Sequence, residues 1–333
     1  MADPGDLAVS PGWLDDGRRQ AFFFWAMAAV TALPLFGLGF GVMLDGVAPE
    51  EVLRSLGGVI AVAGYGHVAA TICFYPDRGY FAVMKTDKVR FFLWPLLLAG
   101  FSALLFSIGG RWSAAILLGY FAWQMHHIQR QNYGIIAFAA TSGRYGILPA
   151  PLVWILDLTA LAGFCALLEL LAVGPSGLFL HAGRVLYLLS GCWLIKLIIS
   201  NPKLRGNARI TGFSVLSWAF FLPAMIAVNP ISTYWSYVIA HGGQYFIFVA
   251  VSSYGANRRT FWMALSLFGV TFWILSLLAD TSLGSKFFLG VGMGHFLIDA
   301  KLWRLREPLQ RDLVRLRFAF LARPVVSMRT AGE

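Results

Sequence analysis

Five of the six histidines, His67, His126, His127, His241 and His295, fall inside apolar stretches long enough to cross a bilayer, and Asp299 follows His295 by one helical turn. Imidazoles and carboxylates are costly in hydrocarbon and rare there, so each marks a candidate functional position. Several at one depth point to a shared task, and the task that imidazoles and a carboxylate perform together most readily is metal ligation. The candidate ligands are therefore His67, His126, His127, His241, His295 and Asp299.

Each histidine has polar company at helical spacing. Thr71 lies four residues after His67, and Arg130 and Gln131 lie four after His126 and His127 in WQMHHIQRQNYG. Gln244 and Tyr245 follow His241, and Asp299 follows His295 in GHFLIDAKLWR. Such spacings share a helix face. A ligating imidazole normally donates its other N–H to an orienting group, and these neighbours are expected to serve. Tyr245, Gln131 and Asp157 are the candidate catalytic groups, Asp157 also being a possible oxygen ligand. His126 and His127 sit about 100° apart around a helix, so both would join one site only if it were wide, as a site for two metals is. The competing expectation for any single histidine is an ordinary interhelical hydrogen bond. Glu169 is expected at an interface and Lys196 to reach one by snorkelling.

The elements that must position these residues follow from composition. The chain has 333 residues, 58% hydrophobic and only 13% charged, the profile of a polytopic helical membrane protein. Ten spans are expected at about 21–44, 56–76, 90–109, 112–138, 150–173, 183–200, 211–229, 232–254, 260–279 and 284–303. Flanking them are a polar N-terminal tail, 1–20, with no signal-peptide pattern, and a basic C-terminal tail, 304–333. Lys and Arg gather in alternate segments: Arg18 and Arg19; Arg78, Lys85, Lys88 and Arg90; Arg144; Lys203, Arg205 and Arg209; Arg258 and Arg259; and the C-terminal tail. The intervening segments hold only Arg54, Arg111, Arg184 and Lys286. That asymmetry predicts both termini on the cytoplasmic side, in the inner membrane if the source is bacterial. It also accounts for the net charge of +10 without nucleic acid. All the histidine-bearing spans then run in the same direction, and the histidines fall within about 8 Å of one depth. Residues Leu305 to Phe320 interleave arginine with leucine and are expected to lie on the anionic leaflet. Cys73, Cys165 and Cys192 show no CxxC spacing and are expected to pack as small apolar residues.

A histidine-rich site buried among apolar and aromatic residues favours non-haem iron over zinc or haem, with dioxygen and a lipophilic chain as reactants. No GxGxxG fingerprint is present for a nicotinamide or flavin, so reducing equivalents would come from an external electron donor, or none would be needed. The HxxxH and HxxHH boxes of membrane desaturases are absent. The placement of histidines within spans is similar to that of bacterial carotene-cleaving dioxygenases, a resemblance of architecture that implies oxygen chemistry on a polyene; their PHG-type motif does not occur here. Two other classes stay open: a bis-histidine haem protein handling electrons or quinone, and a proton-coupled transporter. An intramembrane zinc hydrolase is less favoured, since no HExxH occurs.

Overall fold

A computed structural model describes residues 16–43, 62–142, 145–171, 177–226, 230–254, 258–279 and 282–322, and every regular element among them is helical. The expected tail up to residue 15, Arg54, the start of the second span, Arg144 and the tail beyond 322 lie outside the described residues. The helices are α1 (Asp16–Met43), α2 (Val62–Phe74), α3 (Arg78–Lys85), α4 (Val89–Ile108), α5 (Arg111–Ser142), α6 (Ala150–Leu171) and α7 (Leu178–Ser200). Then come α8 (Pro202–Arg205), α9 (Ala208–Ala219), α10 (Leu222–Ile226), α11 (Pro230–Tyr254), α12 (Arg258–Ala279), α13 (Ser282–Leu302), α14 (Pro308–Arg317) and α15 (Ala319–Ala322).

Six helical stretches are long and apolar enough to cross a membrane: Asp16–Gly37, Val89–Ile108, Ala150–Glu169, Leu178–Ser200, the interrupted run Ala208–Ile226, and Arg259–Leu278. Large apolar side chains on them face outward, among them Leu96, Leu188, Val270 and Trp273. An apolar exterior of this extent requires lipid, so the chain is a multi-pass membrane protein. The sequence leads one to expect ten spans, and these six are the ones found among the described residues. The helices that fall short are α2, α5, α11 and α13, which are the four that carry the histidine layer. Gln124, His126, His127, Gln129, Arg130, Gln131 and Asn132 lower the apolarity of α5, and only a short part of α2 is described.

These four helices pack against one another, and the fold lets them come close. Gly290 on α13 lies so near α4 that a Cβ would run into the Leu98 carbonyl. Gly242 on α11 lies against α2, where a Cβ would stand 2.6 Å from the Ala63 carbonyl oxygen. Helix α2 is itself irregular. A π turn, Val62–Gly66, leads into one α turn, His67–Ala70, and a 3-10 turn, Thr71–Phe74, closes it. Irregular helix of this kind re-aims side chains, and it often marks functional sites.

One end of the bundle gathers the segments that carry the arginines and lysines. Gln20 at the start of α1 donates to the Leu321 carbonyl, and Arg317 on α14 pairs with Asp77 at 2.7 Å. Arg209 donates to Ser142, and Tyr145 to Asn201. The C-terminal helices were expected to rest on a leaflet. In this segment Leu313, Val314, Phe318 and Leu321 pack against Phe23, Phe138, Phe248 and Tyr80, while Leu309 and Leu316 stay exposed. Asp77 caps α3 through the Gly79 and Tyr80 amides, and Glu169, expected at an interface, accepts from the Gly177, Phe179 and Leu180 amides at the start of α7.

Candidate metal centre

Four imidazoles from four helices close into a ring. His67 on α2 lies 4.9 Å from His241 on α11, and His241 lies 5.0 Å from His127 on α5, centroid to centroid. His127 lies 5.2 Å from His295 on α13, and His295 lies 5.0 Å from His67. The diagonal between His241 and His295 is 6.4 Å. Asp299 closes one side, with Oδ2 at 3.7 Å from His295 Nε2 and 3.9 Å from His127 Nε2. Possible ligand atoms of His67, His241 and His295, and separately of His127, His295 and Asp299, all lie within 4.8 Å of one another. All five residues are buried.

Hydrogen bonding fixes which nitrogens face the centre. His67 Nδ1 contacts the Ala63 carbonyl, which can only accept, so Nδ1 carries the proton and Nε2 keeps its lone pair. The Tyr245 hydroxyl donates its one proton to Asp299 Oδ1 at 2.9 Å. Thr71, 3.1 Å from that hydroxyl, must then donate to it, and His295 Nδ1, 2.7 Å from Thr71, must donate to the threonine. His295 Nε2 is thereby left with a lone pair as well. His67 Nε2, His127 Nε2, His295 Nε2 and both nitrogens of His241 are buried with no hydrogen-bond partner. Buried polar atoms in folded proteins are nearly always satisfied, so a cluster of unsatisfied ones calls for a ligand. Nitrogen and oxygen ligands stand about 2 Å from a transition metal, which sets neighbouring donors about 3–4 Å apart. The separations within each triad need only a small contraction, so each triad fits an ion, and the two share His295.

Sequence spacing finds these residues but misassigns their partners. Thr71 is expected to orient His67 and instead bonds His295; Tyr245 is expected beside His241 and instead bonds Asp299. The orienting bonds cross between helices, which spacing along one helix cannot reveal. Two contacts had no signal at all: the Ala63 carbonyl, a main-chain group, and Phe296, whose ring stacks on His127 at 4.5 Å.

His126 does not join the ring. The rotation that turns His127 inward turns His126 out, leaving its side chain 49% exposed, and its Nε2 accepts from Arg130 at 3.0 Å. Asp157, half-buried, pairs with Arg130 at 2.7 Å and lies 3.6 Å from His126, outside both ligand groups. His126 therefore belongs to neither of the two ligand groups, His67–His241–His295 and His127–His295–Asp299. Gln131 stays close to the centre without facing it, donating to the His241 carbonyl and to Gln244. Gln244 continues to Thr31 and Asn132, and Asn132 to Gln129, which reaches Thr159 and the Ser217 carbonyl. This buried amide network pins the rotation of α5.

No family model, curated protein or solved structure matches this chain.

Proposed function

We propose that this protein is an integral-membrane oxidoreductase whose single non-haem iron is held by His67, His127, His241, His295 and Asp299, and whose substrate is a lipophilic acyl, isoprenoid or polyene chain. The observation that carries the reading is the set of buried, unpartnered imidazole nitrogens gathered in two triads that share His295. Imidazole with one carboxylate and no thiolate suits iron best among metals that activate dioxygen. The apolar helices around the centre supply the substrate's environment. A macrocycle is the less fitting occupant, since a porphyrin slotted between two of these rings would run through the other two.

The ion would supply dioxygen activation, and the chain's own residues have separable tasks. Thr71 and the Ala63 carbonyl hold His295 and His67 in the tautomers that present Nε2. Tyr245 holds Asp299 through Oδ1 and leaves Oδ2 facing the imidazoles. Phe296 and the surrounding core keep bulk water away. Incorporation of both atoms of dioxygen balances without a reductant. Hydroxylation or desaturation takes two electrons and two protons from an external donor.

The same reading takes ten helices across the membrane, with α2, α5, α11 and α13 as an inner ring and both termini cytoplasmic. It is supported by the basic segments meeting at one end of the bundle. The test is detergent-purified protein supplied with isotopically labelled dioxygen and a panel of isoprenoid and acyl chains. Iron-dependent uptake of label into a chain, or iron-dependent desaturation of one, is the expected result. Full cellular activity from metal-free protein, or a haem absorption band in the purified protein, would overturn the proposal.

A further inference from the structure

The face of α5 next to the one that carries His127 holds a second polar group, and it is exposed where lipid would lie. His126 sits near the middle of α5, roughly 22 Å from either end at helical rise. Its side chain is 49% exposed, and those of Arg130 and Asp157 are 42% and 22% exposed. Trp154 and Leu161 lie one turn to either side of Asp157 on α6, and both are exposed along that apolar span. An ion pair and an imidazole on such a surface are costly in hydrocarbon and mark a functional position.

The hydrogen bonds define what this group still offers. Arg130 donates through Nε to His126 Nε2 and through Nη2 to Asp157 Oδ2. With Nε2 accepting, the imidazole carries its proton on Nδ1, and among the described residues nothing accepts it. Asp157 Oδ1 has no hydrogen-bond partner. The group therefore keeps one donor and one acceptor in reserve on an otherwise apolar surface. His126 is also joined by a peptide bond to His127, whose ring turns inward to the centre, and their Cα atoms stand about 3.8 Å apart.

We propose that His126, Arg130 and Asp157 bind a membrane-soluble quinol, and that this quinol is the external electron donor of the reaction. The inference rests on the reading of an iron-dependent oxidoreductase and names the donor that reading leaves open. A quinol hydroxyl oxygen accepts from His126 Nδ1 and gives its own proton to the Asp157 carboxylate, while the apolar tail lies along Trp154 and Leu161. The quinol carries two electrons and two protons, the number a hydroxylation needs. One atom of dioxygen enters the chain, the other leaves as water with the two protons, and the quinol departs as quinone. Facing lipid at mid-span, the group is open to a donor dissolved in the bilayer and closed to a water-soluble nicotinamide.

The probe is a ubiquinone with a single-isoprene tail, compared with prenylbenzene, which lacks its oxygens, each measured as uptake by the purified protein above that of empty micelles. Wild type is expected to prefer the quinone by about tenfold, the value of one good hydrogen bond. His126→Ala is expected to lose that preference while keeping its iron. Asp157→Asn is expected to keep quinone uptake and to slow oxidation of the quinol form by about 100-fold, the low end for loss of a positioned base. Equal uptake of the two probes by wild type, or a preference surviving in His126→Ala, would overturn the proposal, as would product formation that needs no quinol. An unchanged rate in Asp157→Asn would overturn the part given to the carboxylate. Iron content separates the two ideas: a metal-free protein that still selects the quinone through His126 rejects the oxidoreductase and retains the quinone site. An iron-loaded protein indifferent to the quinone does the reverse.

Discussion

Thr71 shows how much of the centre rests on one small side chain. Its hydroxyl donates to Tyr245 and accepts from His295, so it sets the tautomer of His295. Thr71→Val keeps the shape and removes both bonds. Loss of such an orienting partner typically weakens metal affinity by about 10- to 100-fold. Chelator competition should show that loss in Thr71→Val and a near-normal affinity in Thr71→Ser; equal affinities in wild type and the valine variant would remove Thr71 from the account. Asp299→Asn should weaken retention less than His295→Ala, because an amide oxygen can still face the ion. Occupancy unchanged in both would remove α13 from the site. At this scale the sequence was informative about identity and blind to partnership. His67, His127, His241, His295 and Asp299 were legible as intramembrane ionisable groups. Which of His126 and His127 turned inward was not, since that depends on how α5 is rotated by the Gln129, Asn132 and Gln244 network.

At the scale of elements, the close approach of α2 and α11 is what brings His67 to His241. Gly242 permits it, and the Ala63 carbonyl that a Cβ would strike is the one that orients His67. Overpacking at such a contact costs about 1–3 kcal/mol, and here the displaced group belongs to the centre. Gly242→Ala should therefore lower iron affinity as well as thermal stability. Gly119→Ala, where a Cβ meets nothing within 4 Å, should change neither. Equal effects from the two substitutions would mean that the α2–α11 contact does not govern the site. Helix existence was readable from apolar runs, and the irregular turns of α2 and the break at Phe220 and Phe221 were not. Those depend on packing between distant segments, which one-dimensional periodicity does not encode.

Across the whole molecule, six strongly apolar helices accompany the four that carry the histidines, of which α5 is markedly more polar. The polarity that disqualifies α5 is the polarity of the centre and its supporting network. Alternating Lys and Arg content led to the expectation that certain loops share a side, and contacts such as Gln20 with Leu321 and Arg317 with Asp77 bring those loops together. The C-terminal pattern of arginine and leucine was legible as amphipathic, but sequence could not say whether lipid or protein receives its apolar face. The buried Asp77–Arg317 pair now ties that segment down, and breaking such a pair costs about 3–5 kcal/mol. Asp77→Asn should expose the chain around Arg315 and Arg317 to trypsin while the iron stays bound. Unchanged cleavage would show that the pair does not hold α14 in place.

The most direct measurement is iron per chain in purified wild type, His126→Ala and His127→Ala, each checked for folding by helix content. Adjacent residues of the same type differ here only in which way the helix turns them. Near-stoichiometric iron is expected in wild type and His126→Ala, with most of it lost from His127→Ala. Wild type without a transition metal, or equal loss from the two variants, would contradict a centre built from four converging imidazoles.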